Sequence, residues 1–212
     1  MERIKGLAIS SKEKQDAITP ELAIELLKAG NIRFVENTRI NRDLGQQVLD
    51  TANGQYPFAV VLGCIDSRVP AEIIFDQGIG DLFIARVAGN FVNEDILGSL
   101  EFACKVAGAK AIVVLGHTNC GAVKGACDKV ELGNLTHMLG NIMPAVNAIT
   151  DVKENRNSSN VEFVQKVADK NVEFTIEKIK QDSSVLNDMY NNSEISIVGA
   201  MYNVSTGEVD FL

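Results

Sequence analysis

The chain has 212 residues, of which 46% are apolar and 23% charged, and its formal net charge is −8. That length and balance predict one globular domain, 1–212, with a sizeable core. The acidic balance argues against a nucleic-acid partner or an anionic membrane surface, though not against a small local cationic site.

No apolar run reaches the ~18 residues needed to span a bilayer. The opening stretch "MERIKGLAISSKEKQDAITP" lacks the apolar segment of a signal peptide. A soluble, cytoplasmic protein is therefore expected. Four cysteines are too sparse for a disulfide scaffold, and in a reducing compartment a paired Cys/His pattern more often means metal or catalysis.

In chain order, an N-terminal helical arm (1–37) comes first, ending in "TPELAIELLKAGNIRFVEN". Thr19 can cap, Pro20 suits the first helical position, and Leu22, Leu26, Leu27 and Phe34 recur at helical spacing. Gly30 weakens the middle of this segment enough to admit a break into two short helices. A core over 55–212 then alternates. Strands are predicted over 58–63, 81–87 and 109–116, and helices over 70–75, 93–108, 120–130, 136–150 and 160–181, with a polar loop at 155–160. The chain closes as a strand, a turn at Thr206–Gly207 and an edge strand. This order predicts an α/β fold: a mostly parallel central sheet of four strands plus an edge strand, flanked by helices on both faces.

Two of the predicted strands end in reactive residues. The first runs into "GCIDSR", carrying Cys64, Asp66 and Arg68, and the third into "GHTNCGAVKGA", carrying His117 and Cys120. In open α/β sheets ligands bind at the C-terminal strand edge, where the winding reverses. If the first and third strands are neighbours there, Cys64, His117 and Cys120 converge. Two Cys and one His suit zinc, and three protein ligands leave a fourth position open, as in catalytic sites. Any one of these cysteines alone is more commonly a small core residue. The repeated form of apolar strand, glycine and reactive residues is hard to assign to packing. Cys104 and Cys127 read as core or helix-face residues, and His137 as a surface residue. Asp66 and Arg68, two apart in an extended segment, can lie on one side, where the guanidinium holds the carboxylate ionised through two hydrogen bonds.

Cys-x-Asp-Ser-Arg after one strand and Gly-His-x-x-Cys-Gly after a later one strongly resemble the β-class carbonic anhydrases. The likeness extends from "TPELAIELLKAGNIRF" through "IARVAGN" to "IVGAMYNVSTGEVDFL". It implies one zinc per chain on Cys64, His117 and Cys120, and reversible hydration of carbon dioxide to bicarbonate and a proton by a zinc-bound hydroxide. Asp66 is then expected to orient the hydroxide, held in place by Arg68. In part of this family the Asp itself ligates zinc and closes the site. That subgroup commonly has a Trp three residues before the first Cys, where this chain has Val61. The open subgroup has a Gln nine residues before it, and Gln55 fits, so an open site is expected. Arg86 and Tyr202 match bicarbonate-site positions found in both subgroups.

The same resemblance assigns Phe83 and Ala88 to the apolar wall facing carbon dioxide and the Gly121 N–H to a bicarbonate oxygen. Phe102 stands where the family often has a Tyr, so it lacks a hydroxyl that could help move protons. A homodimer or dimer of dimers is implied, with the N-terminal helix reaching over a neighbour; folding back on its own chain is the alternative. Three rival readings share part of the pattern. They are a carbon disulfide hydrolase of the same fold, a non-catalytic zinc module with Asp66 as permanent fourth ligand, and a thiol-redox protein. The last needs a Cys-x-x-Cys unit, which is absent.

Overall fold

Five strands, β1 (Ala59–Gly63), β2 (Leu82–Arg86), β3 (Ala111–His117), β4 (Ser196–Tyr202) and β5 (Val209–Phe211), form one sheet ordered β2-β1-β3-β4-β5. This is seen in a computed structural model, which describes residues 11–212. The first ten residues of the expected arm lie outside the described residues. The first four strands are parallel and β5 pairs antiparallel with β4, as the sequence predicts. The bounds agree with the predicted strands to within one or two residues. β1 and β3 are buried throughout, consistent with continuous apolar runs covered on both faces. β2, at the sheet's edge, is half-exposed.

The helices are α1 (Lys12–Asp16), α2 (Pro20–Val35), α3 (Leu44–Thr51), α4 (Ala71–Ile74), α5 (Glu94–Glu101), α6 (Gly121–Cys127), α7 (Gly133–Gly140), α8 (Met143–Ala148), α9 (Val161–Asp182) and α10 (Ser184–Asn191). Strand alternation divides the core. Val60, Leu62, Ile112 and Val114 pack with residues of α5, α6, α8, α9 and α10 on one face. Ala59, Val61, Val113 and Leu115 pack with Ile24 and Leu27 of α2 and Ile74 of α4 on the other. The arm helix α2 therefore packs on its own sheet.

Several elements depart from the predicted ones. Thr19 caps α2 through the Leu22 N–H and Pro20 opens it, but Gly30 does not break it. Gly30 is instead where α2 presses on the chain leaving α4, since a Cβ there would sit 1.8 Å from the Phe75 carbonyl oxygen. Helix propensity alone predicts that Gly30→Ala stabilises by ~1 kcal/mol. The contact reverses that sign, and a loss of about 1–3 kcal/mol is expected from overpacking, read as a lower urea midpoint at unchanged slope. The neighbouring Asp76, 4% exposed, accepts from Arg33, Arg42 and the Ile40 N–H, which pins α2 and the following loop to the same place.

The predicted 136–150 helix is two helices, α7 and α8, because Pro144 in the first turn of α8 has no N–H to carry the ladder across. The 93–108 helix relaxes into a wide π turn over Phe102–Val106 before Gly108, at φ 84, ends it. α3 and α10 were not foreseen.

Candidate metal centre

β1 lies between β2 and β3, so the chain winds one way from β1 to β2 and the other way to reach β3. The carboxyl ends of β1 and β3 meet at this reversal, Gly63 in register with Leu115. Cys64 continues the inward-facing set of Val60 and Leu62. His117 is the last residue of β3, and Cys120 caps the start of α6. Asn119, at φ 56, makes the tight turn between them. The two sulfurs lie 3.9 Å apart, and the donor atoms of Cys64, His117 and Cys120, all three buried, lie within 4.8 Å of one another.

The protonation chemistry fits a soft divalent cation. His117 Nδ1 lies 3.0 Å from the Thr118 carbonyl, which calls for a donated N–H and leaves the lone pair on Nε2. That Nε2 is buried and has no partner. The Cys120 thiol beside it draws the Cys64 thiol well below its ordinary range against the effect of burial, helped by His117 and the Gly89 N–H. Cys120 is pushed up, first by Cys64 and then by burial. Two thiolates this close and this deeply buried would repel each other. A cation removes that repulsion and takes the lone pair of Nε2, and two thiolates with one imidazole are a zinc set. Cys104 and Cys127 are buried elsewhere, with thiols pushed up to about 12 and about 11, chiefly by burial; they are inert core residues, as expected.

Asp66 and Arg68 form the expected pair, but in a turn rather than the expected extended segment, closed by the Val69 N–H on the Asp66 carbonyl. Arg68 donates from Nε to Oδ1 at 2.9 Å, from Nη2 to Oδ2 at 2.8 Å, and from its backbone N–H to Oδ1 at 2.9 Å. The Arg68 hydrogen bonds hold the Asp66 carboxyl well below the usual carboxylate range despite some burial. Asp66 Oδ2 stands 3.9 Å from His117 Nε2, beside the cluster but not among its close-lying donors. Arg86, at the end of β2, clamps the loop below, donating to the carbonyls of Cys64 at 2.7 Å and Asp66 at 2.6 Å. Tyr202 is in register with His117, and burial raises its phenol pKa.

The remaining predicted residues divide by position. Ala88 lies half-buried in the turn before Gly89, and Gly121 opens α6 beside Cys120, so both border the cluster. Gln55 is exposed and precedes β1, at the opposite end of the strand from Cys64, on the order of 15–20 Å away at ~3.3 Å per residue. Phe83 is in register with Val60, well short of the strand's end, and packs edge-to-face on the exposed Phe102 at 6.1 Å. Within one chain, neither Gln55 nor Phe83 reaches the cluster. His137 falls within α7, with no role at the centre.

Sequence reasoning missed the groups that hold the ligands. They are the Thr118 carbonyl, the Gly89 N–H 3.4 Å from Cys64 Sγ, and Asn171 of α9, whose amide donates to the Gly89 carbonyl. One signal was available: Asn171 is a polar residue inside the apolar stripe of Val164, Val167, Ala168 and Val172.

A sheet that delivers two thiols and an imidazole to one buried point at its winding reversal, with a tethered carboxylate above them, defines an α/β protein with a candidate three-residue metal site. Residues 59–209 match the family described as carbonic anhydrase, and the chain belongs to that family, in its β class. A carbonic anhydrase of Mycolicibacterium smegmatis is 34% identical over 192 residues, 90% of this chain and 92% of the relative. The β-carbonic anhydrase CafA of Aspergillus fumigatus superposes with a TM-score of 0.70 at 25% identity, covering 91% of this chain and 89% of that one. One of two tetrameric β-carbonic anhydrases of Sordaria macrospora superposes at 0.67 and 25% identity, covering 79% and 90%. Among the described residues, no helix is long and apolar enough to cross a membrane.

Proposed function

We propose that this enzyme catalyses the reversible hydration of carbon dioxide to bicarbonate and a proton, with one zinc per chain held by Cys64, His117 and Cys120. The observation that carries this reading is the unpartnered, buried Nε2 of His117 facing two thiols, with an ionised Asp66 beside it. Zinc in such a site supplies acidified water, a hydroxide nucleophile near neutral pH. Asp66 accepts a hydrogen bond from that nucleophile and so aims its lone pair at the carbon of carbon dioxide. Arg68 fixes the direction of Asp66, and Arg86 fixes the loop that carries both. Ala88 offers apolar surface to carbon dioxide, and Gly121 offers its N–H to a bicarbonate oxygen.

Gln55 and Phe83 can join this set only across a subunit boundary, given their distance from the cluster of their own chain. A homodimer or dimer of dimers supplies one. The outer faces of α2 and α3 expose Ile32, Val35, Leu44, Val48 and Leu49, apolar area that association can bury. We assign the enzyme to the cytoplasm.

Metal analysis together with stopped-flow carbon dioxide hydration tests the proposal. About one zinc per chain and hydration by the purified protein are expected. A zinc-loaded protein without hydration activity overturns the reaction, and a protein that takes up no zinc overturns the centre.

The Asp66–Arg68 geometry also predicts the pH profile. With Asp66 held ionised and tethered, turnover should rise with pH along a single ionisation, that of the nucleophilic water. Two thiolates donate more charge than imidazoles do, so its midpoint should lie above the ~7 of a three-His site. A cooperative collapse at lower pH, deepened by bicarbonate and accompanied by an Asp66–zinc bond, shows instead that the site closes.

A further inference from the structure

We propose that Asn171, on α9, is a positioning residue for the metal centre, holding the turn whose N–H is donated to Cys64 Sγ. This rests on the reading of Cys64 as a zinc ligand. Asn171 is 3% exposed, and a buried amide is costly unless it is bonded. Its Nδ2 donates to the Gly89 carbonyl at 2.8 Å, and the N–H of that same Gly89 lies 3.4 Å from Cys64 Sγ. A helix distant in sequence, packed on the same face of the sheet as Cys64, therefore reaches that sulfur through one intervening residue.

The turn between them is built to be held from outside. Gly89 sits at φ 86 and Asn90 at φ 43, and glycine and asparagine are the residue types that take this left-handed backbone most readily. A Cβ on Gly89 would lie 2.5 Å from Ile142 Cδ1 and 3.4 Å from Ala122 Cβ, so the turn is wedged against the starts of α6 and α8. Packing closes two sides of it, and Asn171 supplies the directional contact. An N–H aimed at a ligand sulfur offsets part of the thiolate charge and fixes the sulfur's position. Contacts of this kind around metal ligands typically carry 10- to 100-fold in metal affinity.

The test is zinc affinity by chelator competition in Asn171→Leu, which keeps the size and loses the donated N–H. The control is Thr175→Val. Thr175 is equally buried, one turn along, and its hydroxyl bonds only the Asn171 backbone carbonyl. Asn171→Leu should bind zinc about 10- to 100-fold more weakly, and its cobalt-substituted form should show a shifted thiolate-to-cobalt charge-transfer band. Thr175→Val should lower the melting temperature while leaving both readouts in place. Wild-type affinity and an unmoved band in Asn171→Leu overturn the proposal, as does an equal loss in Thr175→Val, which marks general loosening. Should Asn171→Leu not fold, Asn171→Ala carries the same measurement, removing the donor without adding bulk. In the wild-type protein loaded with cadmium-113, the Gly89 amide proton should couple to the metal through Cys64 Sγ; no coupling overturns the route. The ligand assignment fails separately, through full zinc retention by Cys64→Ser.

Discussion

Cys120→Ser is expected to lose on the order of 100-fold or more in zinc affinity, with turnover falling in step with metal content. A structural four-ligand zinc site yields ~10–16 kcal/mol in all, so one thiolate is worth about 3 kcal/mol, and each 1.4 kcal/mol is tenfold. Serine nearly matches the shape of cysteine but does not ionise near neutral pH, so the substitution removes charge rather than volume. Cys120 is 1% exposed, so its place is shielded from bulk solvent. Metal analysis after dialysis against a chelator, beside the wild type, gives the answer. A variant that keeps its full zinc shows that Cys120 is not a ligand.

Arg68→Ala should separate metal binding from turnover. Arg68 bonds none of the three expected ligands and touches their turn only through a long 3.4 Å contact to the Asn119 carbonyl, so zinc content should stay near one per chain, as three-ligand sites hold. What disappears is the two-point grip of the guanidinium on Asp66. A misplacement of about 1 Å near a reacting group can cost ~100-fold, so a drop in kcat of that order is expected. Arg68→Lys should recover only part of it, since an ammonium cannot make the parallel pair of bonds. Stopped-flow rates at matched zinc content decide the matter. An unchanged kcat reduces the pair to a structural one.

Much of the centre was legible because its residues sit next to strong local signals. Cys64 and His117 each follow an apolar run that could only be a buried strand, and each run ends in glycine and reactive residues. Asp66 and Arg68 were readable as a pair from their spacing. The strands themselves were placed to within one or two residues, because buried parallel strands carry little besides Val, Ile, Leu and Ala.

The misses have physical causes as well. α3 has no buried residue, so its pattern has no core to answer to within one chain. The break between α7 and α8 was signalled by Pro144 and passed over. Gly30 reads locally as a weak point, yet it is a point of contact, because what it meets is a carbonyl 45 positions further along the chain.

The sequence by itself therefore determined the class of fold, the three side chains of the candidate metal site and the carboxylate–guanidinium pair. Each depends on the order of residues along a few turns or one strand end, where chemistry and spacing are local. Only the tertiary structure decided that β1 and β3 adjoin, that the arm helix lies on its own sheet, and that Gln55 and Phe83 stand away from the cluster of their own chain. It also decided which groups surround the candidate site: the Thr118 carbonyl beside His117 Nδ1, the Arg86 clamp, and Asn171 bonded to the Gly89 carbonyl. Those contacts join residues as many as 82 positions apart, and their partners are chosen by how the sheet and its helices pack.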